Sequence, residues 1–180
     1  MNELFKKDLY RCYGSEKETF VQWLRRSREL RFIETLRHAQ SAKNLITRKY
    51  WAHRLKRISE RSMIHIPVDA KIGEGFYIGH AGHIIINPAV QIGRNVNIAS
   101  GVLIGRENRG KRKGVPCIGD QVWIGANSVI VGNIRIGSDV LIAPLSYVNF
   151  DVPDHSIVMG NPAKIIEREH ATEGYINNMV

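Results

Sequence analysis

Apolar residues follow two different rules along this chain, and the change comes near residue 62. In the first part Phe20, Leu24, Leu30, Ile33 and Leu36, then Leu45, Trp51, Leu55 and Ile58, recur at three- to four-residue and longer intervals with charges between them. That spacing predicts amphipathic helices over about 2–13, 16–39 and 42–61. Ser15 with Glu18 three residues later reads as a capping box opening the second helix. Pro67 marks the change of regime.

The second part repeats. Ile86, Ile92, Ile98, Ile104, Ile118, Ile124, Ile130, Ile136, Ile142 and Val148 are six residues apart at every step but one. A small residue commonly follows, as at Gly93, Ala99, Gly105, Gly119, Gly125, Gly137 and Ala143. Ile72-Gly73 and Ile78-Gly79 obey the same rule upstream, with a slip of two across Ile84-Ile85-Ile86. A period of six fits neither a 3.6-residue helix nor a strand meander. It predicts a solenoid whose coils have three flat six-residue sides, the aliphatic pointing to the axis and the small residue allowing the corner. Three sides make eighteen residues, so Ile118 is expected over Ile136 and Ile124 over Ile142. The exceptional step, Ile104 to Ile118, leaves a protruding loop within 105–117 that carries Arg106, Arg109, Lys111, Arg112 and Lys113. Insertions at solenoid corners often carry binding function.

Charge separates the same two parts. Of 180 residues, 26 are Lys or Arg and 17 are Asp or Glu. Residues 1–62 hold 16 of the bases and 7 of the acids, so the whole net charge of +9 lies there, and 63–180 is balanced. A 43% hydrophobic content is ordinary for a globular protein and excludes wholesale disorder. No apolar run approaches the ~18 residues of a membrane span, and the first residues lack the apolar stretch of a secretion signal. With only Cys12 and Cys117, a disulfide framework is excluded and a cytoplasmic setting is expected.

Residues from about Ile64 to Ile166 resemble the hexapeptide-repeat acyltransferases, specifically their serine acetyltransferase-like branch. The likeness is carried by the lattice, by Ile78-Gly79-His80-Ala81-Gly82, by the loop ending Gly114-Val115-Pro116-Cys117-Ile118-Gly119, by Val122-Trp123-Ile124-Gly125-Ala126, and by Val152-Pro153-Asp154 and Gly160-Asn161-Pro162-Ala163-Lys164. It implies a mainly β fold, a left-handed parallel β-helix over 63–166 with an N-terminal α-helical segment over 1–62 and a tail over 167–180. It also implies a homotrimer, with acetyl-CoA as co-substrate bound between neighbouring prisms.

Acetyl transfer from a thioester to a hydroxyl needs a base for the hydroxyl proton, and a neutral imidazole suits that work. The resemblance assigns it to His80, one of seven histidines. It places coenzyme contacts at Gly105, Ala126, Pro144 and Lys164, with Arg168 a further phosphate partner, and puts His83 and His65 near the acceptor. His65 stands where serine-specific members have the Asp that orients the imidazole, and Asp69 is the nearest carboxylate in sequence. Gly79 replaces the Asp that holds the acceptor's ammonium, and Gly114-Val115 replaces an Arg-His pair that engages its carboxylate. A zwitterion needs a charge at each end, so these replacements predict a sugar or surface-polysaccharide hydroxyl as acceptor, with L-serine as the alternative.

Two other classes fit less well. A metal enzyme on a solenoid needs three converging histidines, and none occurs between His83 and His155, so no metal is expected. The helix over 42–61 carries Lys43, Arg48, Lys49, Arg54, Lys56, Arg57 and Arg61 against Glu60 alone, a pattern suited to peripheral contact with an anionic membrane. No readout motif for nucleic acid accompanies it.

Overall fold

The computed structural model describes residues 2–180. Helices α1 (Glu3–Tyr13), α2 (Phe20–Leu24), α3 (Arg28–Ser41) and α4 (Leu45–Ser62) precede the strands. Asn2 caps α1 by accepting the Phe5 N–H, and Gly14 ends it in the left-handed conformation, φ 66°.

The single helix expected over 16–39 is instead two, with a break at 25–27. Ser15 makes a local turn to Lys17, and the capping box is formed four residues later by Thr19 and Gln22. Ser27 then caps α3 by accepting the Leu30 N–H at 3.2 Å. Arg26, at the break, is held between the carboxylates of Glu18 and Glu34. This ion-pair clamp gives the bend a partner on each side, which local propensity could not reveal.

The solenoid has three sides. Its first side stacks β1 (Ile64–His65), β4 (Ile84–Ile86), β7 (Leu103–Gly105), β10 (Val129–Val131) and β13 (Tyr147–Val148). The second stacks β2 (Lys71–Ile72), β5 (Gln91–Ile92), β8 (Cys117–Ile118) and β11 (Arg135–Ile136). On the third are β3 (Tyr77–Ile78), β6 (Asn97–Ile98), β9 (Val122–Ile124), β12 (Val140–Ile142) and β14 (Ser156–Gly160), closed by the antiparallel β15 (Ala163–Glu167). All other pairings are parallel, in about five coils. Ile118 pairs with Ile136 and Ile124 with Ile142, as the lattice requires. The aliphatics of the lattice are buried from Ile72 to Val148, and burial of such a side chain stabilises by roughly 1.5–3 kcal/mol.

The small residue after the aliphatic has a steric cause. A Cβ on Gly93 would come within 2.5 Å of the Gly119 carbonyl oxygen, and one on Gly119 within 2.6 Å of the Gly137 oxygen. Successive coils touch backbone to backbone in this column.

The three outer faces differ. On the third side the Tyr175 ring packs tilted against Trp123, with centroids 4.9 Å apart and planes at 59°, and Asn97 and Asn95 donate to the carbonyls of Tyr175 and Val180. The tail therefore covers that side. Polar or charged Lys71, Gln91 and Arg135 face outward with Cys117 on the second side. The first side shows Ile85, Leu103, Val129 and Tyr147, partly or well exposed.

Candidate functional site

His80 stands on the corner where the third side passes into the first. Ile78 and Ile86 are both inward, and eight residues rather than six separate them, so the two extra residues of the lattice lie in this corner. Accordingly β1 pairs with β4 over an interval of 20 residues, Ile64 with Ile84. The surplus pushes Gly79–His83 outward, and the imidazoles of His80 and His83 are both exposed. His83 has φ 30°, a value that L side chains rarely adopt, which fits the forced shape of the bulge.

Register places further residues on the same edge. Tyr77 pairs with Asn97, Asn97 with Trp123 and Trp123 with Leu141, so the corners three residues on, at His80, Ser100, Ala126 and Pro144, succeed one another coil by coil. The Gly101 N–H donates to Gly82, Asn127 to Ser100 and Leu145 to Ala126, which ties these corners together. Beyond Pro144 the turn from β14 to β15 brings Lys164, exposed, opposite Met159. At 4.7–4.9 Å per strand, the five steps from β3 to β15 make His80 and Lys164 the ends of an edge roughly 24 Å long. A Cβ on Gly125 would meet the Pro144 nitrogen at 2.5 Å, so the backbone of this edge is bare and closely packed.

Other expected residues lie elsewhere within one chain. Gly105 ends β7 on the neighbouring edge, paired with Val131, and the inserted loop springs from there. Glu107 and Gly114 exchange hydrogen bonds at 2.9 and 3.0 Å, making the loop a short hairpin, and Arg112 accepts the Asn133 N–H from the next coil. His65 faces outward on the first side beside Ile85. Asp69 sits in the turn between the first and second sides, across the width of the first side from His80. Arg168 donates its N–H to the His155 carbonyl.

One residue in this corner was not expected. Glu29, in the first turn of α3, accepts the Ala81 N–H through Oε1. Burial pushes its carboxyl up, but its own N–H, the Ser27 hydroxyl, the Ala81 N–H and nearby His80 outweigh this and hold it below the usual carboxylate range. The contact spans 52 residues of sequence, and only the acidic first turn of α3 hinted at it. Separately, a groove between α2, α3 and α4 is lined by Trp23, Arg28, Tyr50, Arg54 and Arg57, with the Arg54 guanidinium stacked on Tyr50 and Trp51. Among the described residues no helix is long and apolar enough to cross a membrane.

A parallel solenoid with a bare-backboned edge and exposed imidazoles, His80 and His83, at a widened corner defines the class. Residues 118–149 match the bacterial transferase hexapeptide family of six repeats, and the chain belongs to the hexapeptide-repeat acyltransferases. It is similar to serine acetyltransferase 2 of Arabidopsis thaliana, 42% identical over 110 residues that make up 61% of this chain and 34% of that protein. It is also similar to the Neisseria gonorrhoeae serine acetyltransferase solved in complex with serine, 34% identical with TM-score 0.73 over 91% of this chain and 68% of that one. The Brucella abortus serine acetyltransferase solved in complex with coenzyme A is 26% identical, with TM-score 0.75 over 92% and 66% of the two chains. This chain spans between 31% and 58% of the length of the curated relatives it matches.

These relatives overturn the expected sugar or polysaccharide acceptor. The expectation rested on missing charges at Gly79 and at Gly114-Val115, and it counted only side chains of the solenoid. The helical segment brings a carboxylate, Glu29, to the same corner. An uncharged acceptor site does not follow from the solenoid alone.

Proposed function

We propose that this chain transfers acetyl from acetyl-CoA to the hydroxyl of L-serine, with His80 as general base. The observation that carries the reading is the stacked edge from His80 through Ala126 and Pro144 to the Lys164 turn, on a fold shared with a serine acetyltransferase solved with serine. A thioester arm laid along that edge meets bare backbone at Ala126 and Pro144, and its phosphates reach Lys164. The neutral imidazole of His80 takes the hydroxyl proton as the serine oxygen attacks the thioester carbonyl. The tetrahedral intermediate collapses, the carbon–sulfur bond breaks, and the imidazolium returns its proton to the departing thiolate. The products are O-acetylserine and free coenzyme A.

We further propose a homotrimer assembled through the first side. Its outer ladder of Ile85, Leu103, Val129 and Tyr147 is apolar, whereas the third side is covered by the tail and the second presents charge. A trimer also answers the separation of Gly105 from Ala126, because a neighbour's Gly105 edge can face the His80 edge across one cleft. The test is thiol release from acetyl-CoA with L-serine or other hydroxyl compounds as acceptors. Turnover is expected with L-serine, and its absence in the presence of turnover with another acceptor overturns the reading.

A further inference from the structure

The corner that carries His80 is bonded outward to a helix, and the bond goes through one side chain. Ala81 follows His80 directly, and its N–H is taken by Oε1 of Glu29. We infer that Glu29 is a positioning residue for His80, clamping the widened corner to α3 and setting a fixed negative charge beside the imidazole. The inference rests on His80 being the base.

The corner needs such a clamp. Two surplus residues give it freedom that the regular corners above it lack, and His80 itself is exposed. Glu29 can provide it because α3 is anchored. Arg37, eight residues along the same helix, donates to the carbonyls of Ile72 and Gly73 in the first coil and to Asp8 of α1. At 1.5 Å per residue, Glu29 therefore sits at the end of a rod roughly 12 Å from that anchor. The carboxylate is also well placed to stay ionised: it lies in the first turn, where the helix dipole favours an anion, beside the capping Ser27. Neither alternative reaches the corner as Glu29 does, since His65 faces outward from β1 and Asp69 lies across the first side.

Three variants separate clamp from charge. Glu29→Gln keeps an acceptor for Ala81 but loses the charge, Glu29→Ala loses both, and Glu29→Asp keeps the charge one methylene short. Hydrogen exchange at the amides of 79–83 reads the clamp in each full-length variant, and steady-state kinetics with acetyl-CoA and L-serine read its use. The expected result is faster exchange in Glu29→Ala and a kcat lower by about 10- to 100-fold, the worth of a hydrogen bond to a charged group. Glu29→Gln should lose kcat with exchange little changed, Glu29→Asp should recover part of the loss, and the KM for acetyl-CoA should stay constant. Wild-type kcat in Glu29→Ala overturns the inference. So does a rise in the KM for L-serine at unchanged kcat, which would make Glu29 an acceptor ligand, or an equal fall in melting temperature in all three variants. A wild-type chain that does not turn over L-serine refutes the proposed acceptor instead. The clamp is then judged on exchange alone, and unchanged exchange in Glu29→Ala refutes it.

Discussion

Arg37 and Asp8 form a two-pronged pair in the interior, Nε to Oδ2 at 2.7 Å and Nη2 to Oδ1 at 3.1 Å, with both residues almost fully buried. The pair joins α3 to α1. Its spare groups reach the solenoid, where Nη1 donates to the Ile72 carbonyl and Asp8 accepts the Phe76 N–H. Helical segment and first coil thus share one polar joint inside an apolar cluster that includes Phe5, Leu9 and Phe76.

Removing one partner strands the other. Asp8→Ala leaves a buried guanidinium short of its carboxylate, and the expected loss is about 3–5 kcal/mol. Thermal unfolding followed by circular dichroism checks this, with the helical signal expected to melt first. A change below ~1 kcal/mol would show that water or a nearby carbonyl takes over the pairing.

The glycine column makes a second prediction. Gly119→Ala sets a methyl 2.6 Å from the Gly137 oxygen, a contact that only backbone movement can relieve. Destabilisation of about 2 kcal/mol or more is expected, while Gly110→Ala, in the loop with nothing within 4 Å, should cost less than ~1 kcal/mol from its positive φ. Urea unfolding of the two variants side by side measures the difference.

Docking of the tail should depend on pH through Asp139. Burial pushes its carboxyl up, but the Thr172 hydroxyl, His155 and the N–H groups of Thr172 and Ala171 hold it below the usual range. The folded carboxyl therefore titrates lower than the unfolded one. Its contribution is present above the ordinary carboxylate range and is lost as pH falls through the folded value. His155, raised by its hydrogen bond to Asp139, has the opposite sign: its share is present below the ordinary imidazole range and fades as pH rises through the raised value. The protection of 168–180 against hydrogen exchange, taken relative to the intrinsic rate at each pH, should fall in acid, and Asp139→Asn should show lower protection already at neutral pH. Protection insensitive to both would mean that Trp123 against Tyr175, with the Asn95 and Asn97 hydrogen bonds, holds the tail without Asp139.

The trimer can be tested on the outer face of the first side. Ile85→Asp places a charge on the most exposed rung of the apolar ladder and should yield single chains in sedimentation, with the fold of each intact because Ile85 is not part of the interior. A variant that still sediments as three chains would put the interface elsewhere.

Much of this was legible in the sequence, for a reason peculiar to solenoids. Each coil's contacts are with residues one coil away, so a period of six in Ile92, Ile98 and Ile104 reports burial and pairing together. The resemblance, not the count of coils, put Ala126 and Pro144 on one face with Gly105, and the register sets Gly105 on a different edge from the other two. The position of the two surplus residues was less clear, because Ile84 and Ile86 are both inward and either satisfies the pattern. Helix boundaries failed where Ser15, Thr19 and Ser27 all offered caps and the choice fell to Arg26 between two distant carboxylates. Glu29 was invisible for the same reason. Its partner is a backbone amide far along the chain, and a backbone amide has no sequence signature.

Turnover of His80→Ala tests the central claim most directly, with thiol release from acetyl-CoA in the presence of L-serine as the measurement. The account predicts a rate lower by at least the ~10²–10⁴-fold typical of a lost general base, with coenzyme binding and the melting curve preserved. Turnover close to wild type in a folded His80→Ala protein would contradict it.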